Sequence, residues 1–246
     1  MAYILSKGHC SIMKTDINTY TFKGIPVKVY AHPSPKRLIF INHGIVGSKE
    51  RILTMFGVNL ARIGYEVVAI DACKHGQRGE APFKPYQEES AAKALFDIVK
   101  KTSEDVLRLY HAKYKSAYPT FDILGVSMGG YVAYYTATQS SYVAYLVPVI
   151  SSPDFSAGLS HTGITFDEDT IKKVESMDPS KHPKRFRFKE ACALVGNKDS
   201  LIPMTQTKMF VKENEILPID FKVYDTSHKV VPQMQEDIIA FLKARI

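Results

Sequence analysis

The residue pattern with the most chemistry in it is a serine set between two glycines, in Phe121-Asp122-Ile123-Leu124-Gly125-Val126-Ser127-Met128-Gly129-Gly130. An apolar run ends there and a helix-like sequence begins. Gly-x-Ser-x-Gly at a strand-to-helix turn carries the serine on a strained backbone, and the residues two positions to either side must be small or their side chains collide. The pattern predicts that the Ser127 hydroxyl stands out at the tip of a sheet, placed to act as a nucleophile. A hydroxyl is a poor nucleophile at neutral pH. It needs a base within hydrogen-bond reach, and the base needs a carboxylate to fix its tautomer and stabilise its cation. Of the eight histidines, His228 follows the last strand-like run, in Val223-Tyr224-Asp225-Thr226-Ser227-His228, and precedes the final helical stretch. It is the expected base; His9, His32, His111, His161 and His182 have no comparable placement. Asp199, in Gly196-Asn197-Lys198-Asp199-Ser200 after the run Ala191 to Val195, is the expected acid. Asp154, after the preceding run, is its rival. Asp225 lies three positions before His228, local to it, and is read as loop-stabilising.

Acyl transfer at a serine also needs two N–H donors where negative charge develops, and losing one such donor costs about 3 kcal/mol. Met128, directly after the serine, supplies one by position. The second is expected from the loop His43-Gly44-Ile45-Val46-Gly47, where Gly44 lets the backbone turn so that the N–H of Ile45 faces the serine. The Ile45 side chain would then line the acyl pocket, and His43 is read as structural. Asp71 and His75, in Asp71-Ala72-Cys73-Lys74-His75-Gly76-Gln77-Arg78-Gly79, form an alternative dyad on paper. They precede Ser127 in a glycine-rich turn, and loop shaping is the simpler role. Cys73 and Cys192 adjoin buried runs and are read as core residues. Neither a His-Glu-x-x-His motif nor a cysteine cluster is present, so no metal is expected.

The elements that must carry these residues are legible in the apolar runs. Leu38 to Asn42, Glu66 to Ile70, Phe121 to Leu124, Ala144 to Ile150, Ala191 to Val195 and Ile219 to Tyr224 read as strands, and continuous apolar strands imply burial on both faces. Ile52, Met55, Phe56, Leu60 and Ile63 recur at helical spacing and stop at Gly64. Leu95, Ile98, Val99, Val106 and Leu109 mark a second helix; Val231, Met234, Ile238, Ile239 and Leu242 mark the last. This alternation predicts an α/β fold, a mostly parallel sheet with helices on both faces. Thr19 to Ala31, with Phe22, Val27 and Val29 alternating, predicts an antiparallel hairpin at the sheet edge. Residues 152–189 are polar and break the rhythm, with prolines at 153, 179 and 183. They are expected to form a small cap insertion over the pocket, on the side where open α/β sheets carry their sites.

With these residues in view, the chain resembles an α/β-hydrolase along nearly its full length. His43-Gly44, Asp71 with His75-Gly76, Gly125 to Gly130, Asp199 and His228 fall at that family's landmarks, in its chain order of serine, acid and histidine. The Asp71-to-Arg78 turn and Asp178-Pro179 are similar to small bacterial carboxylesterases related to the prolyl-oligopeptidase and dienelactone-hydrolase branches. The resemblance implies a serine hydrolase that works without a cofactor, through an acyl-enzyme. Ser127 itself argues against a dehalogenase, which needs an acidic nucleophile, and against a dienelactone hydrolase, which typically uses a cysteine.

Composition narrows the remaining classes. A chain of 246 residues fits one α/β domain, 1–246. Three cysteines, scattered and odd in number, make no disulfide framework, which points to a reducing, cytoplasmic setting. The N-terminal residues lack a signal-peptide pattern, and the longest apolar run, Tyr142 to Ile150, is too short to cross a bilayer, so no membrane partner is expected. The charge of +7 raises a nucleic-acid partner. The basic residues are nevertheless spread along the chain without a binding motif, and the cluster from Lys181 to Lys189 reads as a solvated surface, so none is expected. The expected partner is a small-molecule ester, with a homodimer left open. The short, charged cap favours a carboxylesterase for short acyl groups over a lipase, which would want a large apolar lid. A serine exopeptidase, amidase or thioesterase uses the same machinery, and a non-catalytic ligand receptor on the same fold is the alternative of a different class.

Overall fold

The computed structural model describes residues 15–79, 89–157 and 166–246; His9, Cys10, His161 and the part of the expected cap at 158–165 lie outside the described residues. The strands are β1 (Asp16–Phe22), β2 (Ile25–Ala31), β3 (Arg37–Asn42), β4 (Tyr65–Ile70), β5 (Phe121–Val126), β6 (Val143–Val149), β7 (Glu190–Gly196) and β8 (Ile219–Tyr224). They form one sheet in the order β1-β2-β4-β3-β5-β6-β7-β8. β1 and β2 pair antiparallel at one edge, turning through Lys23 and Gly24, both at positive φ, and β3 to β8 run parallel. Parallel strands bring all their carboxyl ends to one edge, so the loops after β3, β5, β7 and β8 meet there although they are far apart in sequence.

Each central strand is apolar on both faces because helices cover both. Leu38, Phe40, Val68, Phe121 and Ile123 face one core, and their neighbours Ile39, Ile41, Val67, Leu124 and Val126 face the other. The first core is closed by α3 (Glu89–Leu109), α4 (Met128–Gln139) and α6 (Met204–Glu213). The second is closed by α1 (Lys49–Ile52), α2 (Val58–Arg62) and α7 (Pro232–Lys243). Residues 128–138 of α4 are all buried, as an apolar helix at the centre of a fold must be.

Two sequence expectations are corrected. The stripe from Ile52 to Ile63 is one helical run only in outline, since a π-helical turn, Leu53–Gly57, separates α1 from α2. Gly57 sits so tightly there that a Cβ would come within 2.8 Å of the Leu53 side chain and 3.0 Å of Tyr30. β8 is not buried on both faces; it is the edge strand among the described residues, and Val223 is 47% exposed.

The described part of residues 152–189 contains α5 (Glu168–Met177), whose N-cap Asp167 accepts a 2.7 Å bond from the Thr170 N–H. The charged residues of α5 face outward. Inward, Val174 and Met177 join Phe155 in a third apolar cluster with Phe96, Met128 and Tyr131, against which Ile45, Phe166 and Ile202 pack. Lys173 ties α5 to Asp97 of α3 at 2.6 Å. Asp178, fully buried, accepts from the N–H and hydroxyl of both Ser156 and Ser180, at 2.7 to 2.9 Å, and locks the two ends of the segment together.

Candidate active site

Ser127 stands between β5 and α4 with φ 55° and ψ −117°, a conformation that costs a non-glycine residue of order 1–3 kcal/mol. Its N–H donates to Val149 O at 2.9 Å, and its carbonyl accepts from Gly130 and Tyr131 at 2.8 and 3.2 Å, so the strained turn is fastened on both sides. The flanking glycines are required by contact: a Cβ on Gly125 would lie 1.9 Å from Gly129 O, and one on Gly129 would lie 2.1 Å from Asn42 O. Neither obstacle is a flexible side chain, so the backbone would have to move. Gly129→Ala is expected to destabilise the fold by roughly 3 kcal/mol or more, lowering Tm by roughly 10 °C. A calorimetric Tm within a degree or so of the parent would contradict this packing.

His228 meets the serine from the loop after β8. Its Nε2 is 2.8 Å from Ser127 Oγ and its Nδ1 is 2.7 Å from Asp199 Oδ2. An ionised carboxylate only accepts, so the Nδ1 proton points at Asp199 and the Nε2 lone pair faces the serine hydroxyl. Asp199 itself is held from the other side: its Oδ1 accepts from the N–H groups of Leu201 and Ile202, each at 2.9 Å. Its carboxylate is thus buried, fully partnered and fixed in direction. The loops after β7 and β8 are stitched together by Asn197 N–H to Tyr224 O at 2.9 Å and Lys198 N–H to Thr226 O at 3.0 Å. At Gly196 they come so close that a Cβ would sit 2.4 Å from Thr226 O.

Asp154, the rival acid, is turned to its own loop, accepting from the Ala157 N–H at 2.8 Å. Asp225 pairs with Lys198 at the surface, 2.8 Å away. His32, His111 and His182 make other local contacts, with Ser34, with the rings of Tyr110 and Tyr142, and with Ser176 O. Burial pushes the Cys192 thiol up to about 12, which keeps it protonated and unreactive.

Met128 opens α4, so its N–H belongs to the first helical turn, where no preceding carbonyl of the helix is available. The loop bearing Ile45 passes directly beside the serine: a Cβ on Gly44 would lie 3.4 Å from Val126 O and 3.5 Å from Ser127 Cβ. Those are ordinary contact distances, so closeness to Ser127 does not itself demand glycine at 44. The tight position is Gly47, whose N–H closes a turn onto Gly44 O at 2.9 Å and whose Cβ would meet Gly44 O at 2.9 Å. His43 is buried beneath this loop; its Nε2 accepts from the Ala72 N–H at 3.0 Å and its Nδ1 donates to Gly44 O at 2.7 Å. Burial holds its pKa below the usual histidine value, which keeps it neutral in that tautomer.

Two features of this region carry little or no signal in the amino-acid sequence. The Leu201 and Ile202 N–H groups were detectable in principle, because an aspartate in a turn commonly accepts from the N–H two residues on. Lys49 gave no such signal. It is fully buried beside Asp71, and nothing in its spacing distinguishes it from a surface lysine. Among the described residues, no group of three or more His, Cys, Asp and Glu could hold a metal ion, and no helix is long and apolar enough to cross a membrane.

No curated protein matches the chain significantly in sequence. Solved structures do match in fold. TT1662 from Thermus thermophilus superposes with a TM-score of 0.82 at 21% identity, over 94% of this chain and 98% of that one. Acetyl xylan esterase 1 from Thermoanaerobacterium sp. gives 0.68 at 17% identity, over 94% and 88%. The acylaminoacyl peptidase of Pyrococcus horikoshii gives 0.70 at 14% identity, over 95% of this chain but 41% of that larger one. Residues 33–185, well over half of the chain, match the family described as serine aminopeptidase, S33. With that match on an eight-stranded α/β-hydrolase sheet, the chain belongs to the serine aminopeptidase S33 family and is a serine hydrolase.

Proposed function

We propose that the protein is a serine carboxylesterase for small, short-chain acyl esters, with Ser127 as nucleophile, His228 as base and Asp199 as the acid that orients it. The observation that carries this reading is the unbroken hydrogen-bond chain from Asp199 through His228 to Ser127 at the carboxyl edge of the sheet. As Ser127 Oγ attacks the ester carbonyl, its proton passes to His228 Nε2, and Asp199 stabilises the imidazolium. The carbonyl oxygen, now an anion, is held by the N–H groups of Ile45 and Met128. His228 returns the proton to the leaving alcohol, the acyl group stays on Ser127, and water activated by the same histidine releases the acid. No step requires a metal or cofactor. Among the described residues Cys73 and Cys192 are free thiols, which suits a reducing cytoplasmic location.

Support for short acyl groups comes from the cluster beside the serine. Phe155 packs on Tyr131 at 5.0 Å and on Phe96 at 5.4 Å between ring centroids, filling the space between the segment after β6 and the helices under it. Ile45, Phe166 and Ile202 pack against this cluster while remaining partly exposed, and this reading takes them as the apolar wall for a few methylenes. Each methylene that finds wall gains about 0.8 kcal/mol, whereas one that finds no room misaligns the carbonyl. With nitrophenyl esters, kcat/KM is therefore expected to peak between acetate and butyrate and to fall about tenfold or more by decanoate. A steady climb through to palmitate would replace this reading with a lipase-like one. The family description favours a second reading, an exopeptidase or amidase. It wins if aminoacyl amides turn over while every ester is inert, and acyl thioesters in the same panel test the thioesterase variant. Inertness towards all of them would leave a ligand receptor.

A further inference from the structure

The sequence places Lys49 at the first position of α1, where the positive end of the helix dipole disfavours a cation. The residue is nevertheless completely buried. Its ammonium has three protons and three acceptors around it: Asp71 Oδ2 at 2.8 Å, Gln77 Oε1 at 3.0 Å and Glu50 Oε1 at 3.0 Å. Asp71 is also fully buried; its Oδ1 accepts from the Lys49 backbone N–H at 2.9 Å and its Oδ2 from the Gln77 N–H at 3.0 Å. Burial alone would raise this carboxyl, but the bonds from Lys49 and Gln77 outweigh it and hold it below the usual carboxylate range. Gly76, at φ 51°, makes room for the carboxyl, since a Cβ there would lie 2.4 Å from it.

The geometry forms an arch. The loop from His43 to Lys49 leaves β3, passes Ser127 at Gly44, packs Ile45 on the apolar cluster of Met128 and Tyr131, turns at Gly47 and enters α1. One foot is pinned by His43 Nε2 to the Ala72 N–H, the other by Lys49 to Asp71. The two anchor points are consecutive residues at the end of β4, itself paired with β3, so the arch stands on a rigid base. We propose that Lys49 is a positioning residue that acts through Asp71 to hold the Ile45 N–H where the oxyanion forms, and that the Asp71-to-Gln77 turn is the plate on which this arch is mounted. The proposal rests on the reading of Ile45 as an oxyanion donor. Lysine stays here, against the helix dipole, because the Lys49 backbone N–H already bonds Asp71 Oδ1 but only a cationic side chain compensates the charge of the buried carboxylate.

Lys49→Met alone leaves Asp71 buried without its cation, a change that unfolds many proteins, so the paired variant Lys49→Met/Asp71→Asn, which removes both charges, is the main test. Three quantities are measured on wild type and variant: kcat and KM for nitrophenyl butyrate, Ki for a short-chain trifluoromethyl ketone whose serine adduct carries an oxyanion, and the fraction of protein labelled by a fluorophosphonate. The expected result is a folded variant with a cooperative melt, KM within about twofold of wild type, kcat lower by about 10- to 100-fold, and a ketone Ki raised by the same factor. A purely structural role would reduce the labelled fraction and leave the remaining molecules with wild-type kcat and Ki. That outcome overturns the proposal, as does a variant with unchanged kcat, or one with reduced kcat and unchanged Ki. Failure of the underlying site reading has a different signature: the wild-type protein itself would be neither labelled nor inhibited, and both readings would fall together.

Discussion

Ser127→Ala should abolish ester turnover, by about 10⁴-fold or more, while leaving the melting temperature close to that of the parent. The reason for the loss is chemical, since no other hydroxyl is 2.8 Å from His228 Nε2 among the described residues, and a methyl group cannot attack. The reason for the retained stability is structural. The φ of 55° at this position is held by the bond to Val149 O and the bonds from the Gly130 and Tyr131 N–H groups, all of which involve backbone atoms that alanine keeps. A fluorophosphonate adduct located by peptide mass spectrometry should lie on Ser127 in the parent and be missing in the variant. Labelling of a different serine in the active, folded protein would assign the nucleophile elsewhere.

Asp199→Asn is expected to be nearly as severe, with kcat down by about 10⁴-fold, a barrier increase of about 5 kcal/mol. The substitution conserves shape, and an asparagine carbonyl can still accept from the Leu201 and Ile202 N–H groups. Its amide group, however, donates where the carboxylate accepted. His228 Nδ1 must then become an acceptor, its proton moves to Nε2, and the ring presents a proton instead of a lone pair to Ser127. His228→Ala should lose a similar amount for the simpler reason that the base is gone, and the double variant should lose little more, since the three groups work as a unit. Asp154→Asn is the control and should stay near wild type, because Asp154 bonds within its own loop. An active Asp199→Asn enzyme beside a dead Asp154→Asn one would transfer the acid role to Asp154.

The elbow at Ser127, the antiparallel hairpin at the edge and the parallel strand-helix alternation were all legible in the amino-acid sequence. Each rests on a local rule: two glycines without which the turn clashes, a period of two, apolar runs too continuous for a half-exposed strand. The placement of His228 was legible for the same reason, since a loop after a parallel strand ends at the known edge. What separates Asp199 from Asp154 is not local. Both follow parallel strands and both reach the same edge, so no spacing rule distinguishes them. Tertiary structure brings Asp199 rather than Asp154 against His228, because β7 is the neighbour of β8 and β6 is not, and the loops after β7 and β8 are bonded to each other through Asn197 and Lys198. The segment at 152–189 shows the same division. Its charge is visible in the sequence, but only packing reveals that Phe155, Val174 and Met177 turn inward onto α3 and α4. Lys49 is the extreme case. A lysine in a sequence is by default a solvated charge, and it becomes an internal anchor only where the fold supplies a buried carboxylate, an amide oxygen and a third acceptor around one ammonium group.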